Sequence, residues 1–117
     1  MQDYRNLEIY KKAYELTKNI YKLTFKWPAH ELYGLTAQIR RSAHSIDSNI
    51  CEGSSRGSDP DRLRFMYGAY SSLKETENHL KLSFDLGYTP DADYKIYEEK
   101  LDHLSRMLNN FMSRLKH

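Results

Sequence analysis

Two carboxylate–imidazole pairs stand at helical spacing in this chain. Glu75 and His79, and likewise Glu99 and His103, are four residues apart, the interval that puts two side chains on one helix face. A di-iron bundle would need a Glu-x-x-His motif on each of two helices and a lone glutamate on the others. No Glu-x-x-His occurs. Both histidines also fall beside the apolar stripe of their helices, so surface pairing accounts for them and no metal or other cofactor is expected. Cys51 is the single cysteine, which excludes an intrachain disulfide and a cysteine-based zinc cluster and suits a reducing cytoplasm. It sits near a helix C-terminus, where the dipole disfavours a thiolate nucleophile. His44 and Ser45 are adjacent, and adjacency on a helix builds no triad. Gly53 to Gly57 carries no Gly-Lys-Ser and is not a phosphate loop. The expectation is a protein without catalytic chemistry.

A polar cluster is the second feature. Gln38, Arg41, Asn49 and Glu52 lie on one predicted helix, and Glu75 and Glu77 on the next. Asn49 and Glu77 fall on stripe positions, where an unpaired polar group costs about 1–3 kcal/mol and a paired one fixes register. Folding the two helices together brings Glu75 within about a turn of Gln38 and Arg41, which makes an Arg41–Glu75 pair geometrically reasonable. These six residues are read as a structural polar cluster.

The elements that position them follow from apolar spacing. Ile9, Ala13, Leu16, Ile20, Leu23 and Trp27 repeat at intervals of four and three. Leu32, Leu35, Ile39, Ala43, Ile46 and Ile50 (or Asn49) keep the rhythm, as do Leu63, Met66, Tyr70, Leu73, Glu77, Leu80 and Phe84. The last stripe runs Tyr94, Tyr97, Leu101, Leu104, Leu108, Phe111 and Leu115. Such 3-4 stripes specify amphipathic helices. Pro28 interrupts the first, Gly53 reads as a left-handed C-cap of the second, and Asp59-Pro60 as the N-cap and first position of the third. Gly87 closes the third, and Pro90-Asp91 opens the fourth. Short loops favour antiparallel neighbours, so the fold expected is all-α, an up-down-up-down four-helix bundle spanning residues 1–117 as one domain. With 117 residues there is little room for a second domain, and no apolar run approaches the roughly 20 residues of a membrane span.

Charge and tyrosine content indicate surfaces. The net charge is only +2, which by itself implies no nucleic-acid partner. The distribution is uneven. Residues 4–27 carry Arg5, Lys11, Lys12, Lys18, Lys22 and Lys26 against Glu8 and Glu15, and no acidic residue follows Asp102. In an up-down bundle Arg5, Lys11, Lys12, Arg56, Arg114 and Lys116 gather at one end, a candidate nucleic-acid surface. The ten tyrosines include Tyr10, Tyr14 and Tyr21, at or outside the edge of the first stripe. Tyrosine gives large contact area at low entropic cost, which suits burial between subunits; stacking on single-stranded bases is the competing use.

One run is specific enough to resemble a known family. Glu31-Leu32-Tyr33-Gly34-Leu35, Gln38-Ile39-Arg40-Arg41-Ser42-Ala43, Ser45-Ile46 and Asn49-Ile50-Cys51-Glu52-Gly53, with Arg56, Ser71-Ser72-Leu73-Lys74-Glu75 and Leu86-Gly87-Tyr88, resemble the bacterial intervening-sequence proteins of 23S ribosomal RNA genes. Cys51 and Ser42 stand where alanine is common, and Trp27 where phenylalanine is usual. The resemblance implies a four-helix bundle, assembly into a homopentamer, and kinship with the basic, nucleic-acid-binding accessory variability determinant of diversity-generating retroelements. It implies no reaction. The partners expected are further copies of the chain, with RNA or DNA, or alternatively another protein, and no membrane.

Overall fold

The computed structural model describes residues 3–116. Four helices account for most of them: α1 (Glu8–Thr24), α2 (Leu35–Ser54), α3 (Asp59–Asp85) and α4 (Asp91–Leu115), with single 3-10 turns at Tyr4–Asn6 and Ala29–Glu31. No strand forms among the described residues. The molecule measures 44 × 24 × 20 Å. Its long dimension is about that of the 27-residue α3 at 1.5 Å per residue. Each helix packs on its neighbours in chain order and α4 returns to α1, while the diagonal pairs make no close approach. The α1–α2 face therefore lies opposite the α3–α4 face.

Helix boundaries follow local chemistry. Ser58, not Asp59, caps α3: its hydroxyl accepts the Asp61 amide, Asp59 already belongs to the helix, and Pro60 lies in the first turn. Gly87, at φ 82°, ends α3 in a left-handed residue, with the Tyr88 amide donating to Ser83 O at 2.8 Å and the Gly87 amide to Phe84 O at 3.0 Å. The start of α2 uses a different device. Glu31 folds back so that Oε1 accepts the Leu35 amide at 3.1 Å, and Tyr88 donates its hydroxyl to Oε2 at 2.8 Å. A Cβ on Gly34 would lie 2.7 Å from that same Oε1, so a larger residue there would make the capping carboxylate shift. Leu32, assigned above to the second stripe, precedes this cap and is exposed.

The core is a column of aliphatic side chains, among them Ile20, Ile39, Ile46, Ile50, Leu73, Leu80, Leu101, Leu104 and Leu108, all fully buried. In α3 the buried line runs Met66, Ala69, Leu73, Thr76, Leu80 and Ser83. Met66, Leu73 and Leu80 are buried as expected, while Ala69, Thr76 and Ser83 take the interior places assigned to Tyr70, Glu77 and Phe84. Glu77 is half-exposed and pairs with Lys74 at 3.1 Å on its own helix. A carboxylate with a lysine three residues away and water beside it has no reason to accept desolvation.

The α2–α3 seam is the tightest in the bundle. Small residues line it, and hydroxyls bridge it. Ser42 and Thr76 share a hydrogen bond at 2.8 Å, and Ser72 donates to Ser45 at 2.8 Å. Asn49 turns back to donate to Ser45 O at 2.8 Å, and its Oδ1 faces Gly68. Gly53 lies inside α2 rather than past its end. A Cβ there would stand 2.9 Å from Phe65 Cβ and 2.7 Å from Met66 Cε, so Gly53 serves close helix approach and not a left-handed cap.

Candidate interaction surfaces

Of the six cations assigned to a basic end, Arg5, Lys11, Arg56, Arg114 and Lys116 lie toward the end where α1 begins and α4 ends. The opening turn and the start of α1 share a groove with Met107, Phe111 and Arg114 of α4, and Lys116 lies over the Tyr67 ring at 5.8 Å. Three of the six are neutralised locally. Arg5 grips Asp3 at 2.6 Å and holds that carboxyl down to about 2. Lys11 pairs with Glu8 at 3.5 Å, and Arg56 with Glu52 at 3.1 Å while covering the Phe65 ring. Among the described residues Lys12, Arg114 and Lys116 have no carboxylate at ion-pair distance. Lys12 sits farther along, on an open groove of about 470 Å³ between α1 and α4 that also holds Glu15, Ile96, Glu99 and Lys100.

The polar cluster does not assemble as one site. Gln38, Arg41, Glu52 and Glu75 are exposed. The Arg41–Glu75 pair is absent, because Glu75 turns along its own helix toward His79 at 3.8 Å. Only Asn49 is built into a helix–helix seam. His79 is more enclosed than a surface pair requires, with Nε2 buried and without a hydrogen-bond partner among the described residues.

The tyrosines divide. Tyr10 is half-buried against the core, edge-on to Tyr4 and stacked on Tyr14. Tyr14 and Tyr21 are 44% and 41% exposed and flank a shallow groove of about 420 Å³ between α1 and α2, lined also by Thr17, Lys18, Lys22 and His44. Cations lie on these rings, Lys18 over Tyr14 at 5.6 Å and Arg40 over Tyr21 at 4.6 Å. Beneath the groove is a residue the pattern reading passed over. Asp47, 2% exposed, accepts from the Thr17 hydroxyl at 2.7 Å and lies 3.0 Å from His44 Nδ1. Burial pushes its carboxyl up, and the Thr17 bond and the nearby His44 oppose that shift. The signal was present: Asp47 lies four residues after Ala43 and Thr17 four after Ala13, both on the apolar stripes.

Comparison with known proteins matches this arrangement to a family. The family model described as 23S rRNA-intervening sequence protein matches residues 5–110. The chain belongs to the 23S rRNA-intervening sequence protein family. A crystal structure at 1.70 Å of a protein of unknown function from the S23 ribosomal protein family of Bacteroides thetaiotaomicron VPI-5482 is similar to it, with a TM-score of 0.80 and 23% identity over 89% of this chain and 97% of that one. At that identity the likeness concerns the fold. No curated protein sequence matches. Set against the family run quoted above, this 23S rRNA-intervening sequence protein uses Glu31, Gly34 and Tyr88 to cap α2 and Ser42, Ser45, Asn49 and Gly53 to close the α2–α3 seam, while Gln38 and Arg41 remain on the surface. Among the described residues no helix is long and apolar enough to cross a membrane, and no group of three or more His, Cys, Asp or Glu is arranged to hold a metal ion.

Proposed function

We propose that the protein is a non-enzymatic, self-associating scaffold, an oligomer built through the aromatic face of α1. The observation that supports this is the open groove between Tyr14 and Tyr21, where two large rings stand in water beside Thr17 and His44 with no carboxylate in the lining. Exposed apolar and aromatic surface of this kind suits a subunit contact. The resemblance to pentameric relatives sets the expected size. Light scattering after gel filtration should give about five times the 13.9 kDa chain mass, and Tyr14→Glu with Tyr21→Glu should return it to the monomer with helicity retained. A wild-type monomer at tens of micromolar would remove the reading.

The three cations left without carboxylate partners favour a second role for the terminal end, contact with RNA or DNA backbones. Affinity should then fall with salt at a slope of about −0.7 per phosphate neutralised on a single strand, whatever the base sequence. Arg114→Glu and Lys12→Glu should weaken binding while Lys95→Glu, paired with Asp91 at 3.2 Å on the opposite half of α4, should not. No binding at low salt leaves a protein-only scaffold.

A further inference from the structure

The end of the bundle where α1 and α3 finish and α2 and α4 begin is used by neither reading above. Among the described residues nine large apolar or aromatic side chains are exposed, and five of them gather here: Phe25, Leu32, Tyr33, Leu82 and Leu86. Chain order fixes their place. Phe25 follows the last residue of α1, Leu32 and Tyr33 precede α2, Leu86 follows α3, and Leu82 lies one turn inside. Phe25 and Tyr33 stand furthest out, at 78% and 93% exposed. Toward the opposite end α3 shows one such residue, Tyr67, with Lys116 over its ring.

The same end is cationic on its α1–α2 side. Lys22, Lys26 and Arg40 have no carboxylate at ion-pair distance among the described residues. Arg40 is held in position: Nε donates to Thr24 Oγ1 at 2.8 Å, and the guanidinium lies 4.6 Å from the Tyr21 ring centre and 5.3 Å from that of Phe25. Glu31, the carboxylate on this side, is taken up by the Leu35 amide and the Tyr88 hydroxyl. The other acids lie on the α3–α4 side, where Asp85 and Asp91 pair with Lys81 and Lys95 and Asp93 sits in the first turn of α4.

We propose that this end rests on the surface of an anionic lipid bilayer, with Phe25, Leu32 and Tyr33 entering the headgroup region and Lys26 and Arg40 meeting lipid phosphates. The expectation of no membrane rests on the lack of a spanning segment, and a surface contact needs none. Apolar side chains beside free cations are what such a surface attracts, the first by burial and the second by its negative potential. Aromatic rings favour the headgroup level in particular. A second copy docked end to end would set Lys26 and Arg40 against their own counterparts, and like charges across an interface are unfavourable. A rigid protein partner would need a recess for each protruding ring, whereas a fluid surface closes around them.

Vesicle co-sedimentation at low salt tests the contact, with circular dichroism as the check on folding. The protein should bind vesicles of phosphatidylcholine and phosphatidylglycerol in equal parts and should not bind phosphatidylcholine alone. Phe25→Ser with Tyr33→Ser, and separately Lys26→Glu with Arg40→Gln, should each weaken binding by about tenfold or more. Tyr67→Ser and Arg114→Glu with Lys116→Glu, changes toward the opposite end, should leave it as in the wild type. Trp27, the single tryptophan, is buried at the loop end with its ring centre 6.0 Å from that of Tyr88, and serves as a reporter. Brominated acyl chains in the mixed vesicles should quench its fluorescence. No binding to the mixed vesicles overturns the proposal, as does equal binding to both kinds. Binding that is lost in Arg114→Glu with Lys116→Glu but kept in Phe25→Ser with Tyr33→Ser also overturns it, since the basic end would then be the part in contact. So does binding that leaves Trp27 unquenched.

Discussion

Two seams of the same bundle are built in opposite ways. Along α2–α3, Ser42, Ser45, Gly53, Gly68 and Ser72 let two backbones approach, and hydroxyl pairs at 2.8 Å fill what little space remains. Along α1–α4, Lys12, Glu15, Glu99, Lys100 and Arg106 hold the helices apart around a groove of about 470 Å³, crossed by the Tyr97 bond to the Asn19 carbonyl. Both pairs are antiparallel neighbours, so topology does not distinguish them; side-chain size does. Small residues convert a helix pair into a rigid unit, and long charged ones leave an edge to which other molecules have access.

Filling the tight seam should have the largest effect. In Gly53→Ala the new methyl meets Phe65 Cβ at 2.9 Å and Arg62 O at 3.3 Å, atoms fixed to the α3 backbone. A loss of about 1–3 kcal/mol in urea melts is expected. A change below a few tenths would mean that the seam has slack and the contrast is false. On the open seam, Tyr97→Phe removes one hydrogen bond to a carbonyl and should cost about 0.5–1.5 kcal/mol. Glu77→Ala, which would be severe for a core carboxylate, should stay within about 0.5 kcal/mol as a surface change.

The smallest effect is one of pH, and it belongs to the α1–α2 seam between those two extremes. Burial raises the Asp47 carboxyl above its ordinary 3.8 in the folded state. Below that ordinary value Asp47 is protonated folded or unfolded and contributes no difference. As pH rises from there through the raised value, the unfolded chain releases the proton first, so folding stability falls. Wild type compared with Asp47→Asn should thus lose ground as urea midpoints are followed upward from pH 3. Glu31 has the opposite sign. The Leu35 amide, followed by the Tyr88 hydroxyl, lowers its carboxyl, so its contribution is present above the ordinary 4.5 and is lost as pH falls through the lowered value. Parallel curves for wild type and Asp47→Asn would mean that the Asp47 carboxylate is as well solvated folded as unfolded.

Periodicity made the four helices and most of the core legible, because a 3-4 stripe leaves one face for burial whatever surrounds it. It could not choose between neighbouring positions. Glu77 and Thr76 both lie near the α3 stripe, and only the approach of Ser42 across the seam decides that the threonine goes inside. Gly53 invited a reading as a helix end because glycine terminates helices; that it admits Phe65 instead depends on a partner helix that spacing within one segment does not describe. Asp47 was missed for the same reason. Its acceptors are satisfied by Thr17, thirty residues away in sequence, and a carboxylate on an apolar face reads as an exception until its donor is known. Reading the cations by residue type could not show that Arg5, Lys11 and Arg56 are paired with carboxylates nearby in sequence.

The capping carboxylate of Glu31 has a consequence for how the molecule comes apart. The Tyr88 hydroxyl that it accepts belongs to the α3–α4 loop, so the two loops at that end are fastened to each other. At the other end the turn after Ser54 joins α2 to α3, and the final turns of α4 lie beside the first turn of α1. Opening at the fastened end is therefore cooperative: the amides at the start of α2 exchange only when the α1–α2 and α3–α4 loops part. The Leu35 amide, which as a helix-start donor would ordinarily exchange with the solvent, waits until both loops release at once.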